Sequence, residues 1–286
     1  LLPRERSNFS FLLFPCAPRC SCGGVVVTRK KNKAAVDLPA VSVSEGDIAR
    51  YLHLGTPWVQ GSMRLKDPYM LDLEYVQRMV AWLLFTPADE DLTALQAVQL
   101  GLGAAALTKF HYKTLGMRTT AIEINPQVIA ACRGWFKLPP DNERLQVLQA
   151  DAGEAIRHPD WQGAVHALQV DLYDHEAAAP VLDSAEFYAD CRAMLTPEGC
   201  MTVNLFGRRS SYARSLEKIC TAFGAENVWA FKPTREGNTI VLALRVAQPH
   251  DVLQLQARAQ AVQAAYQLPA TKWVKVLRPV AESAPG

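Results

Sequence analysis

The chain has 286 residues, of which 49% are hydrophobic and 20% charged, and a formal net charge of +2. That length suffices for one large α/β domain with a smaller unit attached, and the composition is that of a soluble globular protein. Basic and acidic residues in near-equal number argue against a nucleic-acid groove, and no apolar run has the length of a membrane-spanning helix.

Residues 1–45 are expected to form a basic, disordered leader. Arg4, Arg6, Arg19, Arg29, Lys30, Lys31 and Lys33 stand there against Glu5, Asp37 and Glu45. Phe9 to Phe14 has the character of a signal-peptide core, but Pro15 ends it at once and no small-x-small cleavage site follows. Cys16, Cys20 and Cys22 lack a second ligand pair at a zinc-like spacing, so no metal is expected. Cys132, Cys191, Cys200 and Cys220 fall in predicted helix and strand, which suits reduced core thiols in a cytoplasmic protein.

Residues 46–93 read as a small β-hairpin and helix unit. Tyr51–Leu54 and Trp58–Gln60 are the expected strands around a Gly55-Thr56-Pro57 turn. Asp72 to Phe85 carries Leu73, Val76, Val80, Leu83 and Leu84 at helical spacing until Pro87. From 94 to 250 the pattern becomes strand, helix, strand, helix, the signature of a parallel sheet. Strands are predicted at Leu95–Leu100, Arg118–Ile122, Leu145–Ala150, Ala164–Val170, Cys200–Leu205, Val228–Phe231 and Thr239–Val246. Residues 251–286 supply a closing amphipathic helix, Asp251–Tyr266, and a loose tail.

Polar residues recur where these strands end: Gly101-Leu102-Gly103, Glu123, Asp151 followed by Ala152, and Asp171 with Asp174. Ligands of an open parallel sheet bind outside the carboxyl ends of its strands, so these residues converge on one crevice. Gly101 to Ala106 with Glu123 twenty residues after Gly103 satisfies the dinucleotide fingerprint, and satisfies an S-adenosyl ligand equally, because ribose hydroxyls want the same acid. Asp151 is suited to an exocyclic adenine amine, and Asp171 and Asp174 to the transferred group. Taken singly, Glu123 and Asp151 also suit helix caps.

Ile122-Glu123-Ile124-Asn125-Pro126, the Ala150-Asp151-Ala152 turn, and Asp171-Leu172-Tyr173-Asp174 followed by Phe187-Tyr188 together resemble the spermidine/spermine synthase family, the polyamine aminopropyltransferases. The resemblance covers about residues 46 to 246 and implies a divergent member. It would have a class I methyltransferase-like, Rossmann-type α/β fold with a mainly parallel seven-stranded sheet and a small N-terminal β-rich unit. The implied reaction moves an aminopropyl group from decarboxylated S-adenosylmethionine to a small-molecule amine. Nothing is tightly bound as a cofactor, and a cytoplasmic homodimer is expected, without nucleic-acid or membrane partners. Carried over by position, Gly101, Gly103, Glu123, Asp151 and Ala152 hold the adenosyl group, with Glu123 on ribose and Asp151 on adenine. Asp171 helps deprotonate the attacking amine, Asp174 is a second amine-binding acid, and Tyr173 shares their crevice.

Two departures are visible. The family's glycine-rich turn contains an Asp, whereas Gly101 to Ala106 has no acid. Its Gln-Glu-Met-x-x-His helix becomes Gln77, Arg78, Met79 and Trp82, with Arg in place of the acid and Trp in place of the imidazole. An arginine facing the amine pocket would repel an ammonium; the alternative is Arg78 in solvent and Trp82 in the core. The other function classes left open are an S-adenosylmethionine-dependent methyltransferase and a non-catalytic nucleoside-binding relative.

Overall fold

A computed structural model of the chain describes residues 38–172, 182–206, 209–247 and 251–281. The leader up to residue 37, with its three cysteines, lies outside the described residues, as do Tyr173 and Asp174.

Three short strands open the described chain: β1 Val41–Glu45, β2 Ala49–Leu54 and β3 Gly61–Arg64, antiparallel in that order. β1 falls where the sequence pattern gave leader, and the hairpin partner of β2 is β3 rather than Trp58–Gln60. Two facts explain the shift. Trp58 is 64% exposed, so its aromatic character does not report a buried strand. Gly61 must press against Ala104, where a Cβ would stand 2.6 Å from the Ala104 nitrogen. Leu52 and Met63 of this sheet join Leu102, Ala104, Val128 and Phe136 in one apolar cluster. The small sheet is thereby fastened directly onto the glycine turn.

Helix α1, Glu74–Arg78, continues into a 3₁₀ turn at Ala81–Leu84. The α/β part then runs through β4 Gln96–Leu100, α2 Ala106–Lys109, β5 Arg118–Glu123, α3 Pro126–Trp135, β6 Leu145–Gln149, α4 Ala152–Ala155, β7 Val165–Val170, α5 Ala185–Met194, β8 Leu195–Phe206, α6 Arg209–Phe223, β9 Val228–Phe231 and β10 Asn238–Leu244. The last elements are α7 Val252–Tyr266, α8 Ala270–Trp273 and β11 Leu277–Pro279.

Among the described residues the main sheet has eight strands in the order β11-β9-β10-β8-β7-β4-β5-β6. The run from β6 to β8 is parallel, and β10 is antiparallel to both its neighbours. The seven expected strands are therefore present in a mainly parallel sheet. The eighth, β11, comes from the tail: far from loose, it pairs antiparallel with β9. Side chains alternate between two cores. Ala97, Ala167, Cys200, Ile240 and Leu242 face α1, α2 and α7, while Val98, Leu168, Met201, Val241 and Ala243 face α5 and α6. β7 and β10 are buried at every residue, which accounts for their apolar weight. No helix among the described residues is long and apolar enough to cross a membrane.

Trp82 sits in the first of these cores with none of its surface exposed. Its ring is stacked on His111 and meets His166 edge-on, with centroids 5.9 and 5.6 Å away. Among the described residues its indole N–H has no hydrogen-bond partner, so the residue stabilises through the packing of its ring. Trp82→Ala is expected to cost about 3–5 kcal/mol and Trp82→Phe less than about 1.5 kcal/mol. Chemical denaturation of the three proteins checks both values, and equal losses would show that ring packing is not what this position contributes.

Candidate active site

The glycine turn links the strand ends. Gly101 follows β4 with φ +83°; its N–H donates to the Ile122 carbonyl at 2.9 Å, and the Asp171 N–H donates to Leu100 at 3.0 Å. These bonds carry the parallel ladders past the formal ends of the strands. A Cβ on Gly101 would lie 2.2 Å from the Asp171 carbonyl oxygen, so only glycine fits there. Gly103 (φ +50°) and Ala105 (φ +56°) turn left-handed to start α2. Side chains engage the carbonyls of Gly101 and Gly103. Gln99 Nε2 donates to Gly101 at 2.6 Å, and the buried Cys132 thiol donates to Gly103 at 3.1 Å. Thr108 in turn fixes Gln99 at 2.5 Å.

Glu123 closes β5 against this turn. Its Oε2 accepts from the Leu102 N–H at 2.9 Å and its Oε1 from the Asn125 N–H at 2.8 Å. Burial raises its carboxyl pKa, and the Leu102, Asn125 and Ile124 N–H groups oppose that rise. Each carboxylate oxygen keeps acceptor capacity beyond one N–H, so two vicinal hydroxyls could still be received. Asp151 stands two residues past Gln149, which is paired with Glu123. It caps α4 through Gly153 N–H at 2.8 Å, and Ala152 follows as the first residue of that helix.

Asp171, half-buried just past β7, lies on the other side of the turn. Its Oδ1 accepts from Asn204 Nδ2 at 3.0 Å, and its Oδ2 from the Tyr75 hydroxyl at 3.4 Å. Burial pushes its carboxyl above the usual range, and the Asn204 and Tyr75 bonds pull it partly back. A carboxylate so raised takes a proton more readily than a surface Asp.

The structure therefore brings Gly101, Gly103, Glu123 and Asp171 together and puts Asp151 and Ala152 at the next strand end. Tyr173 and Asp174 are outside the described residues. Three participants were missed by sequence reasoning: Tyr75, Asn204 and Asn238, which donates to Asn204. A polar Asn near the end of the apolar run Met201–Phe206 was the signal for the second.

Arg78 does neither of the two things its sequence position suggested. It is 8% exposed, not in solvent. Nor is its charge loose in a pocket: it pairs with Glu74, donates to the Lys232 carbonyl at 2.6 Å and lies over the Phe231 ring at 5.1 Å. The guanidinium is a strut between α1 and the end of β9. Trp82 is core, as the second alternative had it.

No family model matches the chain. It is 32% identical over 242 residues to a polyamine aminopropyltransferase of Neisseria meningitidis, spanning 84% of this chain and 89% of that protein. To the polyamine aminopropyltransferase of Chromobacterium violaceum it is 30% identical over 219 residues, 76% and 81% of the two chains. In fold it is similar to a probable spermidine synthase from Corynebacterium glutamicum, with a TM-score of 0.66 over 81% of this chain and 92% of the other at 16% identity. At the identity and coverage of those sequence relatives, with the strand-end acids of the resemblance gathered about one turn, this chain belongs to the polyamine aminopropyltransferase family.

Proposed function

We propose that the protein transfers the aminopropyl group of decarboxylated S-adenosylmethionine to a small amine, releasing methylthioadenosine. The observation that carries this reading is the pair of carboxylates flanking one glycine turn, Glu123 bonded to Leu102 and Asp171 under Gly101, in a chain of this family. In this reading Glu123 accepts both ribose hydroxyls, Asp151 accepts the adenine amine, and the Gly101–Gly103 turn carries the nucleoside past itself toward Asp171. The two reactants would then be held side by side, which removes much of the entropic barrier to displacement.

The sulfonium is a good leaving group, so the remaining demand is a neutral nucleophile. Amines near neutral pH are mostly protonated and cannot attack. Asp171, with its raised proton affinity, is suited to take that proton, and Tyr173 and Asp174 belong to the same proposed site as its assistants. Engagement of Arg78 by Glu74 and Lys232 supports the reading, because that cation is then not free to oppose a positively charged substrate. A homodimer and a cytoplasmic setting are part of the proposal; the free thiols of Cys132, Cys191, Cys200 and Cys220 support the latter, and light scattering of the purified protein tests the former.

Incubation with decarboxylated S-adenosylmethionine and a panel of diamines should release methylthioadenosine together with an amine three carbons and one nitrogen longer. Methylation from intact S-adenosylmethionine instead would assign the chain to the methyltransferases, and binding without any turnover would make it a nucleoside-binding relative.

Glu123→Gln removes the charge from two charge-assisted hydroxyl bonds worth about 1.5–3 kcal/mol each, so methylthioadenosine should bind at least tenfold more weakly. Unchanged affinity by calorimetry would leave Glu123 only as the support of Leu102.

Asp171→Asn can keep both local bonds, its oxygen facing Asn204 and its amide facing the Tyr75 oxygen. Turnover is expected to fall about a hundredfold or more with methylthioadenosine affinity unchanged. The sign of the stability effect is also defined. A carboxyl whose pKa is raised in the fold costs stability above that pKa, and the cost disappears as pH falls through it. The variant should therefore melt no lower than the parent at pH 8, and any advantage should shrink on acidification. Normal activity with a lower Tm would make Asp171 a scaffold residue.

A further inference from the structure

Two carboxamides behind Asp171 have no part in the reaction as described. Asn204 and Asn238 are 6% and 8% exposed, in the buried stretches of β8 and β10. β8 and β10 run antiparallel with Asn204 opposite Ile240 and Asn238 opposite Phe206. The two carboxamides are thus diagonal neighbours on one face of the pair. Asn238 Nδ2 donates to Asn204 Oδ1 at 3.0 Å, and Asn204 Nδ2 donates to Asp171 Oδ1 at 3.0 Å. The turn before β10 holds Asn238 in place, with its N–H on Thr234 Oγ1 at 3.2 Å and its carbonyl receiving the Thr234 N–H at 2.8 Å.

A carboxamide has one accepting end and one donating end. Because the oxygen of Asn204 is taken by Asn238, the end it turns to Asp171 is the NH₂. Asp171 Oδ1 can then act only as an acceptor: a proton on it would set a donor against a donor. Accommodating that proton would require both carboxamides to turn over together. Oδ2 is held differently. The Tyr75 hydroxyl is 3.4 Å away, well beyond the usual 2.7–2.8 Å for O–H···O, so this oxygen is only loosely engaged.

We propose that Asn204, set by Asn238, is a positioning residue that dictates which oxygen of Asp171 receives the amine's proton: Oδ1 stays locked to the carboxamide and Oδ2 is the basic atom. This rests on the reading of Asp171 as the base. In the step, an ammonium N–H bond breaks and its proton goes to Oδ2, leaving the electron pair on nitrogen. That pair forms the new N–C bond while the C–S bond breaks, its electrons neutralising the sulfonium as a thioether. Carboxylate, ammonium and sulfonium become carboxylic acid, alkylated ammonium and thioether, with charge conserved.

The groups around Asp171 define the control. From α1 come Tyr75, which donates to it, and Glu74, which is held by Arg78. At the end of β5 stands Glu123, bonded to Leu102 and Asn125. Burial raises the Asp171 carboxyl, and Asn204 is the larger of the two bonds opposing that rise. Removing Asn204 must therefore raise it further, whereas a purely structural carboxamide would lower stability without moving the titration.

The test uses Asn204→Leu and Asn238→Leu in the full chain, each labelled with carboxyl-¹³C aspartate, with Asp171→Asn assigning the resonance. In Asn204→Leu the Asp171 midpoint and the acid limb of kcat/KM for the amine should both move up by about one pH unit or more, the loss of a bond to a charged group. Above that limb, kcat should fall at least tenfold while methylthioadenosine affinity stays within twofold. Asn238→Leu, which frees Asn204 to turn over, should move both in the same direction by less. An unmoved Asp171 midpoint in a folded Asn204→Leu protein overturns the proposal, as does a reduced kcat with an unmoved acid limb. If Asn204→Leu does not fold, an unmoved midpoint in Asn238→Leu overturns it. A parent protein without aminopropyl transfer defeats the functional reading alone, since the resonance still reports whether Asn204 holds Oδ1.

Discussion

The turn after β4 crosses the end of β7 so closely that a single added carbon at position 101 would lie 2.2 Å from the Asp171 carbonyl. That contact sets the spacing of everything in the crevice. With Gly101 seated on Asp171 and bonded to Ile122, Leu102 presents its N–H to Glu123, and Gly103 and Ala104 are delivered to the small sheet. There a second close approach, Gly61 against Ala104, fixes the cap. Two glycines with no room for a Cβ thus hold three layers in register: small sheet, turn and main sheet. A longer side chain at position 104 would have to occupy the volume now shared by Gly61 and Ala104.

Electrostatics in the crevice follow one rule, that the strand-end carboxylates are hydrogen-bonded by uncharged donors. Glu123 is met by backbone N–H groups, Asp171 by a carboxamide and a phenol, and Asp151 by the first turn of α4. None of these donors is a lysine, arginine or histidine. Such donors stabilise the charged form without neutralising it, so negative potential remains for cationic ligands. Arg78 is spent on Glu74 and a carbonyl. An Arg at this place on the helix reads in sequence as hostile to amines, yet the structure uses the guanidinium to brace β9.

How much of this could be read from sequence depended on range. β4, β5, β6 and β7 were legible to within a residue because the strand–helix alternation leaves short runs, each closed by glycine or an acid. The positions of Glu123, Asp151 and Asp171 followed from that alone. The hairpin was misplaced because its second strand is defined by contact with Ala104, about forty residues on, not by its own β propensity. The tail was read as loose because Leu277–Pro279 becomes a strand only when the edge of β9 is available to it. Arg78 was illegible in principle: its partner carbonyl belongs to Lys232, and no local pattern announces a backbone acceptor.

The same holds for Asn204, whose meaning depends on the register of an antiparallel pair. Shift β10 by one residue and the side chain at position 238 points to the opposite face, where it cannot reach Asn204. The order of strands at this edge therefore has a chemical consequence. An antiparallel β10 inserted between β8 and β9 brings the start of one strand beside the end of another. A carboxamide at the beginning of β10 thereby stands at the same end of the sheet as an acid past the end of β7. A parallel strand in that place would present its first residue at the far end, away from the crevice. Helix α1 closes the circuit, giving Tyr75 to Asp171 and Arg78 to the strand that precedes β10. Asp171 is held from two sides by elements that are themselves joined, which is how a loosely bonded oxygen can keep a fixed direction.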